Sequence, residues 1–291
     1  MKRLLSLVLI ASSPMAAAVN DIFPTDYVAN KPGDVVTTLY LSESESDTYY
    51  RNKSKILDET LSTSVQALRL GYSTQLFGFT TAFTAVGFHA KNTFEGPTLE
   101  TLYPKTTSGY GDLRLGVTAW LLNDRENMHY FAITPMISLP VGTYDAARSI
   151  NIGENRYKAT LSAGYVNRFL HGDGGEMLLE LSPEFAFFGD NDNAQGKKIE
   201  QEPSFALTGY LRYRPVTFAS VFVGSQINRG GETTINGMDQ NNAPENTKIM
   251  IGGSFFVLGT QIILRHAQDT HVENGFKSNC HTTLRLQWMF K

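Results

Sequence analysis

Residues 275–291 read GFKSNCHTTLRLQWMFK. From Cys280 the stretch alternates, with Cys280, Thr282, Leu284, Leu286, Trp288 and Phe290 on one side. His281, Thr283, Arg285, Gln287 and Met289 fall on the other. Side chains of a strand point to opposite faces at period two, so this is a strand with one apolar and one mostly polar face. The apolar face ends in two aromatics, Trp288 and Phe290. That ending suits a β-barrel in an outer membrane, where rings gather at the lipid–water boundary. The last strand of a soluble β-sandwich would alternate in the same way, so the rest of the chain decides.

The 291 residues suffice for one large β-domain or two ordinary ones. The beginning has the form of an export signal over residues 1–18. Lys2 and Arg3 form a basic start, Leu4 to Ala11 an apolar core, and Ala16-Ala17-Ala18 a small-residue cleavage site. This segment is too short for a transmembrane anchor, which needs roughly twenty apolar residues, and no later stretch qualifies. Removing Lys2 and Arg3 takes the basic count from 25 to 23 against 28 acids, a mature net charge of −5. An acidic chain argues against a nucleic-acid partner, which needs a basic surface. The single cysteine, Cys280, has no internal disulfide partner and lies on the apolar side of its strand, where a thiol acts as a small hydrophobe. Charged residues make up only 18%, while Gly, Tyr and Phe number 25, 13 and 18, a composition of amphipathic strands rather than helices.

Working back from the last strand, period-two alternation predicts eleven more. They span Val35–Ser42, Leu61–Tyr72, Leu76–His89, Tyr110–Leu122, Met128–Val141, Asn155–Phe169, Glu176–Phe188, Glu202–Arg214, Thr217–Ile227, Lys248–Val257 and Thr260–Gln268. The second and ninth have faces that alternation alone leaves open; in the second, Leu68 and Leu70 fall opposite Val65 and Ala67. Ser73-Thr74-Gln75 reads as the turn between the second and third. Pro135 lies in mid-strand and cannot donate to a ladder, so a bulge or broken pair is expected there. The connections alternate long and short. Glu43–Lys55, Ala90–Ser108, Gly142–Glu154, Gly189–Gln201 and Asn228–Asn246 are long, and those between them are short. An up-and-down bacterial barrel sorts its loops in this way, with long outer loops and short periplasmic turns. Greek-key connections of a sandwich do not. The chain thus divides into a signal peptide (1–18), a periplasmic lead-in (19–34) and a barrel (35–291). Its fold class is all-β, a closed antiparallel up-and-down transmembrane barrel of about twelve strands.

Three stretches carry a resemblance to a known family. They are Ser108-Gly-Tyr-Gly-Asp-Leu-Arg-Leu-Gly116, Ile137-Ser-Leu-Pro-Val-Gly-Thr-Tyr-Asp145 and Asn274-Gly-Phe-Lys277. Their order and setting resemble the outer-membrane proteins named for the meta pathway of phenol degradation. Phe290 near the C-terminus is likewise similar to the terminal aromatic of bacterial outer-membrane proteins, with Lys291 following it here. The resemblance implies an outer-membrane barrel and a role in the uptake of small, including aromatic, compounds. It transfers no set of binding residues.

In lipid every backbone polar group needs an internal partner, so a spanning sheet must close. The polar faces then line the lumen, which receives Arg114, Arg156, Lys158, Arg168, Glu180, Glu184, Tyr210, Arg212, Arg214, Gln261, Arg265, Arg285 and Gln287. Antiparallel pairing about residue 195 brings Glu180 close to Arg212. Glu180, Glu184, Arg212 and nearby basic groups thus form a charge network. It reads either as an eyelet selecting polar or anionic solutes or as an ion-paired filling of a narrow barrel. Trp120 and Tyr210 face inward, as space-filling side chains or as rings on which a flat solute stacks.

No catalytic residues are assigned. The histidines sit in no nucleophile motif and Gly-x-Ser-x-Gly is absent. His266, Asp269 and His271 are of metal-ligating type, but their spacing matches no closed site. The reading is therefore a non-enzymatic channel in the outer membrane of a Gram-negative bacterium, passing small solutes without cofactor or metal. Its partners are the lipid bilayer, the solute and, during biogenesis, the barrel-insertion machinery. The alternatives are a structural or surface-binding barrel acting through its outer loops, and an outer-membrane hydrolase.

Overall fold

The final strand closes the structure by pairing with the first, from Val35 opposite Phe290 to Tyr50 opposite Gly275. The computed structural model describes residues 21–291, so the signal-peptide reading lies outside the described residues. Twelve strands form the barrel. In chain order they are β1 (Val35–Arg51), β2 (Thr60–Leu76), β3 (Phe79–Glu95), β4 (Leu113–Asp124), β5 (His129–Leu139) and β6 (Lys158–Gly172). The rest are β7 (Gly175–Phe188), β8 (Ser204–Val216), β9 (Ala219–Gly230), β10 (Asn246–Val257), β11 (Thr260–Val272) and β12 (Gly275–Phe290). Each is antiparallel to both neighbours, so the main ladder has no free edge.

The apolar faces point outward. Leu115, Leu121, Ile137, Leu161, Phe185, Phe187, Leu211, Val221, Leu264 and Phe290 are all exposed on the outer wall, where lipid covers them. Their neighbours along the chain, Arg114, Trp120, Ser138, Thr160, Ala186, Arg212, Phe222 and Arg265, are buried within. Parity also settles the two open faces. In β2 Leu61, Thr63, Val65 and Ala67 point inward and Leu68, Leu70 and Tyr72 outward. In β9 Ser220, Phe222 and Gln226 point inward and Val221 and Val223 outward.

Several boundaries differ from those the alternation predicts. β1 continues through the expected loop Glu43–Lys55 as far as Arg51, and β3 runs to Glu95. At about 3.3 Å per residue and a tilt near 40°, a 17-residue strand rises about 43 Å, against an apolar band of about 25 Å. Above the lipid both faces meet water, so the ladder continues where the hydrophobic pattern stops. The first short turn is Phe77-Gly78, both with positive φ (50° and 85°), rather than Ser73-Thr74-Gln75. Ser73 is instead buried inside the barrel. At Pro135 the ladder with β4 is interrupted between Gly116–Met136 and Ala119–Ile133, while the pairing with β6 passes through unbroken. The outer loops carry structure of their own. Pro97–Leu102 is a short helix, Thr106–Tyr110 pairs with β3, and Asn191–Ala194, Lys197–Gln201, Thr233–Ile235 and Met238–Asp239 form a small four-stranded sheet.

Candidate functional site: the lumen and its plug

The lead-in enters the barrel from the short-turn end and fills its middle. Two turn hydrogen bonds, Asp26 N to Phe23 O (3.2 Å) and Val28 N to Thr25 O (3.0 Å), fold it into a compact knot. Asp26 Oδ2 accepts the Phe23 amide at 2.8 Å, and Thr25 takes a left-handed φ of 78°. Two apolar contacts seat the knot. Tyr27 packs among Ala82, Trp120, Tyr130, Ala132, Val166 and Leu178, while Phe23 packs with Tyr210, Phe222, Met250 and Ile263. Two of the hydrophobic clusters inside the barrel are centred on the plug.

Polar latches fix the plug to the wall. Trp120 Nε1 donates to Tyr27 O (2.8 Å), Tyr27 Oη to Ser162 Oγ (3.0 Å) and Tyr210 Oη to Ile22 O (2.8 Å). Asp21 pairs with Arg265. Asp26 lies between Arg69 (3.0 Å) and Arg285 (3.1 Å). Burial works against both carboxylates, yet Arg265 beside Asp21, and Arg285 with Arg69 beside Asp26, hold them below the usual carboxylate range. The Arg265 guanidinium also stacks 4.0 Å from the Phe23 ring centre.

The lumen residues named from the sequence separate into three groups. The first holds the plug. Tyr210, Arg265 and Arg285 touch it directly. Glu180 accepts the Thr25 amide at 2.8 Å on one oxygen and Arg212 Nε at 2.6 Å on the other. Gln261 accepts from Thr25 Oγ1 at 3.4 Å, and Gln287 accepts from Arg69 at 3.4 Å. The second group, Arg168 and Arg214, pairs with Glu176 near the short-turn end. The third, Arg114, Arg156, Lys158 and Glu184, lies toward the outer mouth. Arg156 belongs to the preceding loop rather than to β6, and pairs with Glu154 at 2.9 Å. Glu154 is held in the ionised form, since Arg156, Lys158 and Arg114 outweigh its burial. Glu180 and Glu184 therefore do not share one network: Glu180 is spent on the plug and Arg212. His266 and His271 face outward while Asp269 faces inward, so the three do not converge.

Sequence reasoning missed Asp21, Asp26, Tyr27 and Arg69. Arg69 stands between outward Leu68 and Leu70, which places it on the wet side. The inward apolar pair Val65 and Ala67 hid that signal.

Two of the resemblance stretches meet at the outer mouth. Asp112 accepts the amides of Gly142 and Glu154, both at 2.9 Å. Tyr110 N donates to Thr143 Oγ1 at 2.9 Å, and Thr143 N returns to Tyr110 O at 2.7 Å. These bonds fold the loop after β5 inward, so that Ile150 and Ile152 pack on the barrel wall and Glu154 lines the lumen.

Closed ladder, apolar outer wall and polar, ion-paired interior define an outer-membrane β-barrel of the Gram-negative type. The chain belongs to the family described as "Putative MetA-pathway of phenol degradation", whose model matches residues 39–285. Its structure is similar to the crystal structure of an outer membrane channel from Pseudomonas putida F1. The TM-score is 0.85 with 28% sequence identity, over 93% of this chain and 100% of that one. Slighter likenesses, which bear on nothing further, are to the transport unit of the autotransporter AIDA-I from Escherichia coli and to the CymD monoaromatic hydrocarbon channel. The first has a TM-score of 0.48 and 9% identity over 95% of each chain, the second 0.46 and 9% over 89% of each. No curated protein matches the chain significantly.

Proposed function

We propose that the protein is a passive channel for small solutes, aromatic compounds such as phenols among them, and that the lead-in is its gate. One observation carries this reading. A cavity of about 290 Å³ on the loop side reaches down to Ile22, and a second of about 240 Å³ on the short-turn side is lined by Thr25, Val28 and Asn30. The plug is thus the partition between two cavities of mixed polar and apolar lining, and its displacement joins them into one path. The Pseudomonas putida relative, itself a channel, supports the same reading, as does the family's name for aromatic compounds. No chemistry is required of the protein; solute moves down its own gradient.

The test is uptake of labelled phenol and of a panel of small solutes by cells with and without the gene. Slower uptake of at least one solute in the deletion strain, restored by a plasmid copy, is expected. Unchanged uptake of every solute would overturn the proposal. It would favour instead a surface role for the small four-stranded sheet built by the outer loops.

A further inference from the structure

Among the described residues, the cavity above the plug holds two lysines with no carboxylate in ion-pair contact. Lys158 on β6 and Lys248 on β10 are 6% and 5% exposed, and both line it. Among the described residues neither ammonium has a hydrogen bond or an ion pair. The neighbours of Lys248 explain why. Asp269, directly across the ladder, is committed to Asn246 Nδ2 at 3.0 Å and to the Ser278 amide at 2.8 Å. Gln226, on the other side, gives its amide to Thr208 at 3.0 Å and accepts from Asn228 at 3.3 Å. Lys158 rests 5.1 Å from the Phe188 ring centre, and Arg156 lies 4.9 Å from the same ring.

Of the lining carboxylates, Glu154 is paired with Arg156, Asp269 has both oxygens taken by amides, and Glu184 makes no ion pair with either ammonium. Both ammoniums therefore keep donors free toward the cavity, and a carboxylate entering it can take them up as charge-assisted hydrogen bonds. Ser, Thr, Asn and Gln side chains share the lining with apolar and flat ones, among them Ile22, Ala186, Phe188, and Tyr49 packed edge-on against Phe276 at 5.1 Å. The volume of about 290 Å³ is at the small end of ligand cavities.

We infer that this chamber is a binding site for small aromatic carboxylates, with Lys248 holding the carboxylate and Lys158 reinforcing the preference for an anion. The inference rests on the channel reading only for how the ligand arrives, because binding needs no passage.

The test is calorimetric titration of the full-length protein in detergent with benzoate, and with benzyl alcohol as its neutral counterpart. Benzoate is expected to bind saturably, at least about tenfold tighter than benzyl alcohol. Lys248→Gln is expected to weaken benzoate at least about tenfold. Lys248→Arg, which keeps the charge, should stay within about threefold. Heat-shifted migration on a denaturing gel verifies that each variant is a folded barrel. No saturable benzoate binding, equal affinity for the two probes, or an unchanged affinity in folded Lys248→Gln overturns the site. Benzoate binding in a protein that carries no current in bilayers, even as Asp26→Asn, would keep the site and remove the channel. Current without benzoate binding would do the reverse.

Discussion

Asp26 Oδ1 lies 3.1 Å from Arg285 Nη1 deep inside the barrel, so a carboxylate from the lead-in is held by the last strand. Arg69 on β2 takes the same oxygen at 3.0 Å. The side chains of Asp26 and Arg285 are 7% and 1% exposed, so water does little to screen the pair. Removing one partner from such a pair typically costs about 3–5 kcal/mol. Asp26→Asn should therefore loosen the plug while leaving the ladder intact. In planar bilayers the variant is expected to show a several-fold higher mean conductance than the parent, with the same gel mobility. Conductance equal to the parent's would count against the gate.

The same latches set a pH response. In the docked plug both Asp21 and Asp26 are held below the ordinary carboxylate range, despite burial, by Arg265 and by Arg285 with Arg69. A carboxyl whose value is depressed on docking contributes fully above its free value, about 3.9, and loses that contribution as pH falls through the docked value. The plug should stay seated from neutral pH to about 5 and release only below about 4. Trp120, bonded to Tyr27 O at 2.8 Å, reports this in a Trp288→Phe background. Its emission should hold constant to pH 5 and shift red in stronger acid. A red shift already complete at pH 6 would contradict the latch.

Gly164 on β6 leaves room for the Tyr27 ring. A Cβ built there falls 1.9 Å from that ring. Gly164→Ala should push Tyr27 from its seat and break its bond to Ser162, an overpacking cost of about 1–3 kcal/mol. Raised conductance with a normal gel shift is the expected outcome. Gly172→Ala on the same strand meets nothing within 4 Å and should behave as the parent. Parental conductance in Gly164→Ala would show that Tyr27 does not gate.

Asp112 pins the inward loop through the Gly142 and Glu154 amides. Hydrogen bonds to a charged acceptor are worth about 1.5–3 kcal/mol each, so Asp112→Ala should release residues 140–157. On intact cells this loop should become several-fold more sensitive to added protease, with cleavage near Arg148. Equal protection in parent and variant would show that the loop is held by its apolar contacts alone.

The fold was readable wherever lipid imposes one greasy face. His281, Thr283 and Arg285 alternate with Leu284 and Leu286 along β12, and that alone places them inside. Legibility ended where the bilayer ends: Ser44, Ser46 and Thr48 of β1 alternate with Glu43, Glu45 and Asp47, and two wet faces look like a loop. Within the candidate site, Glu180 and Arg212 follow from parity and register. Asp21 and Asp26 do not, because a short segment without periodicity shows nothing of the wall it will meet. Their partners Arg69, Arg265 and Arg285 come together only across a closed cylinder.

That last point orders the events of assembly. The arginines that hold the two carboxylates of the lead-in are on β2, β11 and β12, so its seat is incomplete until the final strand has paired with the first. The earliest described part of the chain must wait for the latest, and a newly inserted barrel passes through a moment when it stands open before the knot settles.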